Sequence, residues 1–390
     1  MATQLRSITP EKDPLDDMSL PGWLYFDPEF FETEKAAFLR AAPQVVCHTN
    51  EIPQPGDWRT LEYLGESVIV IRGDDGEARA FSNVCRHRGS RLVDGNGGCA
   101  KVLTCPYHAW SYARDGRLVG VPHRHEYPGL KTEDHALFPV AIENWRGFLF
   151  VTLERGAPSV AEMMAPYENE VAPYRFEELR ILSQVKLRPR ALNWKTLCDN
   201  YSDHLHIPVG HPGLTRLFGR NYRIEAQPHV DRMEGDLIEK ESVNPSERAY
   251  QRLMPAVDHL PRAHQRKWLY YKLFPNVAFD IYPDQVDFMQ FLPVSATETV
   301  LREVSYALPD DRREMRAVRY LNWRINRCVN AEDTELVTRV QLGMRSAAYV
   351  AGPLGTSEVC LRSFARKLRK LIPQARLKSA PAAGWSRSSN

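Results

Sequence analysis

The sequence predicts an α+β protein in which a compact all-β module precedes a larger mixed domain. Between residues 44 and 155, short strand-like runs are separated by turn sequences rich in glycine and aspartate, such as 73–77 and 94–98. After Pro158 the strand-like runs lengthen, and two long helical stretches follow them. Strands followed by a long packing helix are typical of an α+β domain. We therefore expect two units of different architecture.

Three segments are predicted along the chain. Residues 1–43 are expected to form an N-terminal helical segment, with an amphipathic helix at 29–41, that packs on the mixed domain. Residues 44–155 form the predicted β-module, and residues 156–390 form the predicted mixed domain. The predicted strands of the module lie at 67–73, 78–84, 101–105, 108–113, 117–121 and 147–154.

The mixed domain is predicted to contain both strands and helices. Its strands alternate apolar and polar residues, and they lie at 185–194, 268–274, 277–283, 286–294 and 299–308. Its helices are predicted at 159–173, 195–207, 310–349 and 357–372. The last dozen residues are predicted to be a loose tail.

Composition and charge disfavour several classes of protein. The formal net charge is +2 over 390 residues, so no strong attraction to nucleic acid or to an anionic membrane is expected. No apolar run approaches the roughly eighteen residues that span a bilayer, and the polar start lacks the apolar core of a secretory signal. The seven cysteines are scattered, which disfavours a disulfide framework. We expect a cytoplasmic protein without nucleic-acid or membrane partners.

Two short Cys/His pairs lie within the β-module. Cys85 precedes His87 by two positions and Cys105 precedes His108 by three, with seventeen residues between the pairs. Two thiolates and two imidazoles in matched pairs suit a [2Fe–2S] cluster in which two histidines serve one iron, a Rieske centre. Neutral imidazoles in place of thiolates raise the reduction potential of such a cluster. The motif therefore predicts a protein that handles electrons.

A Cys₂His₂ zinc site is the alternative interpretation of these four residues. Zinc sites of this kind usually group cysteine with cysteine and histidine with histidine, whereas here each pair contains one of each. The cluster is therefore favoured. Cys99 precedes Cys105 by six positions and is interpreted as a free thiol in a glycine-rich loop. Tyr107 and Ser90 are candidates for hydrogen bonds to the cluster sulfur atoms, although packing explains them equally well.

A second group of metal-binding side chains lies between residues 199 and 211. His206 and His211 are five positions apart, about 140° around an ideal helix, so a regular helix would not direct both rings at one ion. Pro208 and Gly210 lie between them and disturb that regularity. The backbone can then bring both imidazoles to one metal ion, and His206 and His211 are the predicted pair of ligands.

Two further side chains flank His206. Asp203 lies three positions before it, on the same side of the predicted helix. His204 would point away from His206 on a helix, so it is not expected to bind metal. Asp203 is thus a candidate partner for the ring of His206.

Two histidines need a carboxylate to complete the facial triad that holds Fe(II) with open positions for oxygen. Asp333 lies in an apolar stripe of the predicted helix at 310–349, where a carboxylate without a partner is costly. Metal ligation would supply that partner. Glu332 shares its face with Glu335 and Arg339, a face expected to be solvated. Asp333 is therefore the favoured ligand, and Glu332 is the alternative.

These residues resemble those of a known family. The chain is similar to the α (terminal oxygenase) subunit of the Rieske non-haem iron oxygenases, the aromatic ring-hydroxylating dioxygenase family. The resemblance covers nearly the whole chain. Its motifs are the opening at 20–34, Cys85-x-His87, Cys105-x-x-His108, the run 193–195, Asn200-x-x-Asp203-x-x-His206-x₄-His211, and the stretch 332–343.

The resemblance implies a Rieske [2Fe–2S] domain joined to a helix-grip catalytic domain, in which an antiparallel sheet is packed by helices. It implies oligomers, most often a homotrimer, in which the cluster of one subunit faces the iron of its neighbour; a β subunit is not excluded. Asp203 matches the acid that bridges a cluster histidine and an iron histidine across that boundary. Electrons are expected from NAD(P)H through a separate flavin reductase, sometimes with a ferredoxin.

The predicted activity is that of a terminal oxygenase that activates O₂ at Fe(II) to hydroxylate an organic substrate. An aromatic acid narrowly leads the possible substrates. Monooxygenation, including N- or O-demethylation of a quaternary ammonium or methoxy compound, is the alternative. Arg216 and Arg220 are candidates to hold a substrate carboxylate, with surface positions as the equal alternative. The residues that either line an aromatic pocket or fill the core are Tyr270, Tyr271, Phe279, Tyr282, Phe288 and Phe291.

Two functions of other classes are disfavoured. A pure electron carrier needs only the β-module, which would leave residues 156–390 without a role. A redox sensor with a degenerate iron site would lack part of the second ligand set, whereas His206, His211 and Asp333 are all present.

Overall fold

The computed structural model describes residues 13–386. The first twelve residues of the predicted N-terminal segment and the last four of the predicted tail lie outside the described residues. Across the part that is described, the helices are all too short or too polar to cross a bilayer. The predicted α+β class is confirmed, because an antiparallel all-β module is joined to an antiparallel sheet packed by helices.

The described part of the N-terminal segment packs on the mixed domain. Helix α1 (Pro28–Glu34) begins after Asp27, whose carboxylate accepts the N–H of Phe30 at 2.7 Å. The chain continues as a π-helical turn over Lys35–Leu39, so the predicted helix at 29–41 is present but irregular. The apolar side chains that this segment buries against later helices include Leu24, Tyr25, Phe31 and Phe38.

The β-module contains ten strands. They are β1 (Gln44–His48), β2 (Asp57–Tyr63), β3 (Glu66–Arg72), β4 (Ala78–Ser82), β5 (Asn96–Gly98), β6 (Val102–Thr104), β7 (Ser111–Ala113), β8 (Leu118–Gly120), β9 (Pro139–Trp145) and β10 (Phe148–Thr152). Seven form one sheet in the order β1-β10-β9-β4-β3-β2-β5, and β6-β7-β8 form a second, small sheet. All six predicted strands are present, whereas β1, β2, β5 and β9 were not predicted.

The mixed domain is built on one large antiparallel sheet. Its strands are β11 (Arg180–Ile181), β12 (Lys186–Arg190), β13 (Tyr222–Ala226), β14 (Val230–Asp236), β15 (Lys267–Leu273), β16 (Val277–Ile281), β17 (Val286–Ser295) and β18 (Glu298–Ala307). The order is β11-β18-β17-β16-β15-β14-β13, and β12 also pairs with β18. The five predicted strands are present, and β11, β13 and β14 are additional.

Among the described residues, eight further α-helices accompany this sheet. They are α2 (Val160–Met164), α3 (Glu168–Val171), α4 (Trp194–Ser202), α5 (Ile207–Gly210), α6 (Pro212–Phe218), α7 (Pro245–Leu253), α8 (Arg313–Met344) and α9 (Val359–Leu371). The long helix α8 packs on the sheet through Val318 and Ile325, in one core with Trp268 and Tyr282. Helices α5, α6 and α7 were not predicted, and the helix predicted at 159–173 is two short helices joined by a 3₁₀ turn.

The two sheets share a single core. Phe148 of β10 packs against Phe288 of β17, with ring centroids 5.1 Å apart. Arg302 of β18 donates hydrogen bonds to the backbone carbonyls of Val45 and Val46 in β1, at 3.4 and 2.7 Å. The core therefore continues from one sheet to the other. The predicted domain boundaries at 43/44 and 155/156 stay predictions.

Candidate active site

Two loops of matching geometry carry the Cys/His pairs. The first follows strand β4, and the second joins β6 to β7. In each loop the residue four positions after the cysteine donates its N–H to the cysteine carbonyl, Gly89 to Cys85 and Ala109 to Cys105, both at 3.0 Å. Both donors have left-handed backbone conformations, with φ of 74° at Gly89 and 54° at Ala109. The two loops are therefore alike in structure as well as in sequence.

The four side chains of the pairs converge at the ends of these loops. Cys85 and Cys105 are each only 2% exposed, and the ring centroids of His87 and His108 are 4.6 Å apart. Nδ1 of His108 is buried and has no hydrogen-bond partner among the described residues. A buried imidazole nitrogen without a partner is costly unless a ligand takes its lone pair. The residues present therefore fit a metal group.

The spacing of these donor atoms bears on the zinc alternative. Within residues 13–386, one group of three metal-binding side chains has donor atoms that all lie within 4.8 Å of one another, and that group does not include the four side chains of the Cys/His pairs. A single tetrahedral zinc ion needs its ligand atoms about 2.0–2.3 Å from the metal and hence close together. The wider set of Cys85, His87, Cys105 and His108 suits a two-iron cluster better than one zinc ion.

Hydrogen bonds around the thiols involve a residue that the sequence did not indicate. The Tyr112 hydroxyl lies 3.3 Å from Cys85 Sγ and accepts the N–H of Arg86 at 2.9 Å. Tyr107, the candidate from the sequence, is 56% exposed and lies against the His108 ring instead. Although burial alone would raise it, the backbone N–H groups of Tyr107 and His108 lower the pKa of the Cys105 thiol.

The sequence also offers Ser90 as a hydrogen-bond donor to the cluster and Cys99 as a nearby free thiol. The Ser90 hydroxyl donates to the Arg91 carbonyl at 3.1 Å, and the Ser90 carbonyl accepts the N–H of Cys85 at 2.8 Å, so a hydrogen bond from Ser90 to a cluster sulfur atom stays a prediction. Cys99 lies elsewhere: its N–H donates to the Gly56 carbonyl at 3.1 Å, and its own carbonyl accepts from Arg114 at 3.0 Å. It is a free thiol, as are the other cysteines.

The second constellation forms where helix α4 ends. The helix predicted over 195–207 ends at Ser202, because Asp203 adopts an extended conformation and its carboxylate accepts the N–H groups of Leu205 and His206, at 2.9 and 3.2 Å. His206 and His211 then stand immediately before the short helices α5 and α6. Both histidines are thus placed by helix junctions and not by a helical face.

Three side chains meet at one point. The Nε2 atoms of His206 and His211 are 3.1 Å apart. Asp333 Oδ1, from helix α8, lies 2.9 Å from His211 Nε2 and 3.6 Å from His206 Nε2. These three donor atoms lie within 4.8 Å of one another, in the manner of a metal centre. Two imidazoles and one carboxylate are the donor set of a non-haem Fe(II) site, so the residues fit that metal.

The other ring nitrogen of each histidine is held by a carboxylate. His206 Nδ1 lies 2.9 Å from Asp203 Oδ2, and His211 Nδ1 lies 2.8 Å from Glu332 Oε2. Such partners fix the tautomer, so that Nε2 keeps its lone pair for a metal. Although burial alone would raise it, the hydrogen bonds from His206 and Leu205 hold the pKa of Asp203 below its usual range.

Two roles in this constellation were missed or misplaced by sequence reasoning. Glu332 was expected on a solvated face with Glu335 and Arg339. Glu335 and Arg339 do form an exposed ion pair, whereas Glu332 contacts His211. Its contact with His211 depends on where α8 crosses α6, which no local pattern reveals. Asn200 donates to Asp333 Oδ1 at 2.7 Å and so orients that carboxylate. His204, expected not to bind metal, is absent from the three-residue group.

A cavity of about 160 Å³ opens beside these three side chains. Strands β15–β18 form one wall, and helices α4, α5, α6 and α8 form the other. Of the six aromatic candidates, Tyr271 and Phe279 lie in the core instead. The aromatic side chains that line the cavity include Tyr201, Tyr222, Tyr270, Tyr282, Phe288 and Phe291.

Basic side chains reach the cavity from an edge strand. Lys186, Arg188 and Arg190 occupy alternate positions of β12 and line it. The candidates from the sequence lie outside the lining: Arg216 is held by Glu247 through two hydrogen bonds of 2.8 and 2.6 Å, and Arg220 is exposed. Of the two interpretations of Arg216 and Arg220, the structure favours positions outside the cavity, because neither residue is part of its lining. Local spacing cannot show which strand edge meets the cavity.

Comparison with family models identifies both parts of the chain. Residues 42–138 match the Rieske [2Fe–2S] domain, and residues 176–374 match the ring hydroxylating alpha subunit (catalytic domain). The chain therefore belongs to the Rieske ring-hydroxylating oxygenases, as their α, terminal oxygenase, subunit. Its cofactors are a [2Fe–2S] cluster and a mononuclear iron, and a reductase supplies its electrons.

Several curated proteins are similar to this chain. The carnitine monooxygenase oxygenase subunit of Acinetobacter baumannii is 29% identical over 339 residues, which are 85% of this chain and 86% of that protein. The glycine betaine monooxygenase oxygenase subunit of Chromohalobacter salexigens is 36% identical over 198 residues, 51% of this chain and 44% of that protein.

Solved structures share the fold. A quaternary ammonium Rieske monooxygenase in complex with L-carnitine gives a TM-score of 0.76 at 24% identity, over 94% of this chain and all of that chain. Naphthalene 1,2-dioxygenase with indole bound gives a TM-score of 0.73 at 21% identity, over 95% of this chain and 96% of that chain. The predicted oxygenase class is confirmed.

Proposed function

We propose that this oxygenase monooxygenates a quaternary ammonium compound that also carries a carboxylate. The observation that supports it is the composition of the cavity beside His206, His211 and Asp333. Tyrosine rings line one part of it, and quaternary ammonium ions bind to aromatic faces. Arginine side chains line another part, and guanidinium groups bind carboxylates. Relatives named for carnitine and glycine betaine act on compounds with both groups.

Hydroxylation of an aromatic acid is the second candidate. The basic side chains of β12 favour it, because they would bind the acid group equally well. A similar protein, 27% identical over 369 residues, is named 2-aminobenzenesulfonate 2,3-dioxygenase subunit alpha. This candidate ranks second, because the similar proteins with higher identity are named for carnitine and glycine betaine.

The residues that would hold the two metal groups are part of the proposal. Cys85, Cys105, His87 and His108 would hold the cluster, and His206, His211 and Asp333 would hold the iron. When bound, the cluster supplies single electrons and the iron activates O₂. In the overall reaction a C–H bond next to nitrogen becomes C–O–H, and the second oxygen atom leaves as water. Two electrons from NAD(P)H and two protons balance it.

The chain's own side chains prepare this chemistry. Asp203 and Glu332 accept hydrogen bonds from the Nδ1–H groups of His206 and His211, which keeps both Nε2 atoms free to bind metal. Asn200 holds the Asp333 carboxylate in place through its amide. Asp203 is also the proposed bridge to a cluster histidine of a neighbouring subunit, so it would couple the two centres.

A homotrimer is the proposed assembly, with a flavin reductase, and in some cases a ferredoxin, as the electron donor. Apolar side chains surround the Asp203 turn and face outward: Leu205 is 49% and Val209 85% exposed. Tyr107, beside His108, is 56% exposed. Two such surfaces suit contact between subunits.

The cytoplasm is the proposed location, since all seven cysteines are free, as in a reducing compartment.

A substrate screen with a surrogate reductase tests the proposed function. The compounds are carnitine, glycine betaine, benzoate and 2-aminobenzenesulfonate, and both oxygen uptake and product are measured. We expect oxygen uptake to match product formation for an ammonium compound and not for the aromatic acids. Product from an aromatic acid alone would transfer the function to the second candidate.

Metal analysis of two variants tests the proposed ligands. Asp333→Ala should lose mononuclear iron and keep the Rieske EPR signal, and Cys105→Ser should lose that signal. Cys99→Ser is the matched control for the thiol and should keep the signal. A Cys99→Ser protein without a cluster would show that the cluster ligands are wrongly assigned.

A further inference from the structure

Four neighbouring strands place one row of side chains on the cavity wall. The register of β15 to β18 sets Tyr270 opposite Asp280, Asp280 opposite Asp287, and Asp287 opposite Ser305. All four residues line the cavity. The centre of the row is therefore a pair of carboxylates on adjacent strands, where directly opposed like charges are destabilising.

These two carboxylates have only neutral partners. Asp280, 7% exposed, accepts hydrogen bonds from the hydroxyls of Tyr201 and Tyr282. Asp287 accepts from the Gln285 amide at 2.8 Å. Within the described chain, no lysine, arginine or histidine forms an ion pair with either. Burial raises the pKa of Asp280 to about 7 and that of Asp287 to about 8, so a cation bound beside them would favour the charged forms of both groups.

The basic side chains that line the cavity are Lys186, Arg188, Arg190 and Arg327, and none of them forms an ion pair with Asp280 or Asp287. Arg188, on the same cavity wall, pairs with Glu303 at 2.8 Å, and Lys186 lies over the Trp323 ring, 6.0 Å from its centroid. The cavity is thus lined by acidic, aromatic and basic side chains, and Asp280 and Asp287 are left without an ion-pair partner among the described residues. Buried carboxylates without a counter-charge are costly, and a cationic ligand would supply the missing charge.

We propose that Asp280 and Asp287 determine the preference of this oxygenase for a substrate with a cationic group, by holding that group between their carboxylates and the surrounding tyrosine rings. This rests on the proposed function and assigns it to two residues. Aromatic rings alone bind a cation weakly in water, and a desolvated opposite charge adds to that attraction.

Helix α4 connects this cation site to the iron site. Its consecutive residues Asn200 and Tyr201 reach in two directions, Asn200 to the Asp333 carboxylate and Tyr201 to the Asp280 carboxylate, at 2.7 and 2.5 Å. One turn of helix therefore places the charged end of the substrate next to the reaction centre. The carbon atoms bonded to nitrogen would then be those nearest the iron.

The test separates charge from shape. Glycine betaine and its carbon isostere 3,3-dimethylbutanoate, which keeps the carboxylate and lacks the cationic group, are nearly identical in size, and each is titrated into the holoenzyme by calorimetry. Asp280→Asn and Asp287→Asn remove one charge each and preserve shape, and Asp311→Asn, exposed and outside the cavity, is the control. Carnitine and its isostere, 3-hydroxy-5,5-dimethylhexanoate, form a second pair of probes.

We expect each cavity variant to weaken binding of the cation by about tenfold or more, the usual result of removing one partner of a desolvated charge pair. Binding of the isostere should stay equal or become tighter, and KM for the cation should rise more than kcat falls. The inference is overturned if the cavity variants bind both probes equally more weakly than the wild type does, or bind both as tightly, while the wild type still oxidises the cation. If the wild type neither binds nor oxidises any cation, the proposed function fails as well.

Discussion

Glu332 holds the ring of His211, with its Oε2 atom 2.8 Å from Nδ1. The opposite ring nitrogen, Nε2, lies 2.9 Å from Asp333. Two adjacent carboxylates of helix α8 thus contact opposite sides of one ring: Asp333 lies beside Nε2, with the proposed iron ligands, and Glu332 orients the ring from Nδ1.

Replacing Glu332 should weaken iron binding without touching the cluster. We expect Glu332→Ala to lower iron affinity or turnover by about 10- to 100-fold, the usual cost of losing such a partner. Mononuclear iron content and the Rieske EPR signal are measured together. Glu335→Ala, which breaks only an exposed ion pair, is the matched control. Full iron loading in Glu332→Ala would show that His211 needs no carboxylate to hold its ring.

Replacing Asp203 should separate metal loading from turnover. Asp203→Asn keeps the shape of the side chain and loses its charge, so we expect both metals to be retained and product formation to fall by about 10- to 100-fold. The decisive measurement is the rate at which a reduced cluster is reoxidised in a single turnover. Asp203→Glu, which keeps the charge, should restore part of that rate. Normal reoxidation in Asp203→Asn would remove the bridging role.

Removing the Tyr112 hydroxyl should make the cluster harder to reduce. A hydrogen bond to sulfur stabilises the more negative, reduced form. A bond worth about 1 kcal/mol corresponds to a shift of roughly 40 mV for a one-electron couple. We expect Tyr112→Phe to lower the potential by that order, measured by redox titration, and Tyr107→Phe to leave it unchanged. An unchanged potential in Tyr112→Phe would limit that hydroxyl to holding the Arg86 N–H.

Mild acid should destabilise the junction of the sheets through His48. This ring is fully buried, accepts the N–H of Asn50 at Nδ1 and lies 3.0 Å from the Phe176 carbonyl at Nε2. Burial lowers its pKa to about 4, whereas the unfolded chain binds the proton near pH 6.5. This contribution to stability is complete above pH 6.5 and is lost as the pH falls towards 4.

At pH 5 this residue should cost about 2 kcal/mol of unfolding free energy relative to pH 7. His48→Gln should therefore show a flatter pH dependence in denaturant unfolding than the wild type. His125→Gln, at an exposed position, should keep the wild-type slope. Equal slopes in the wild type and His48→Gln would mean that His48 is not held neutral.

Much of the fold could be predicted from local pattern. Alternation of apolar and polar residues located β15 to β18, and the Cys/His spacing located the loops after β4 and β6. Asp333 was distinguished from Glu332 by its place in an apolar stripe, a property of one helix alone. These features depend on residues close in sequence, where periodicity carries the information.

The remaining features depend on contacts between distant segments. The end of α4 at Ser202 follows from the side chain of Asp203 competing for backbone N–H groups, which helix periodicity does not include. The opposition of Asp280 and Asp287 follows from the register of two strands, and the role of Tyr112 follows from a hairpin turning back on a loop. Neither leaves a periodic signal in the chain.

Arg302 and the aromatic side chains around Phe148 join the two sheets through one interior. The part of the chain that receives electrons cannot swing towards the part that uses them, as a tethered carrier would. Any change in the distance an electron travels must come from how whole chains are arranged against one another. In the proposed trimer, the transfer of an electron from one chain to the next would therefore depend on how those chains dock, and substitutions on the meeting surfaces should slow it.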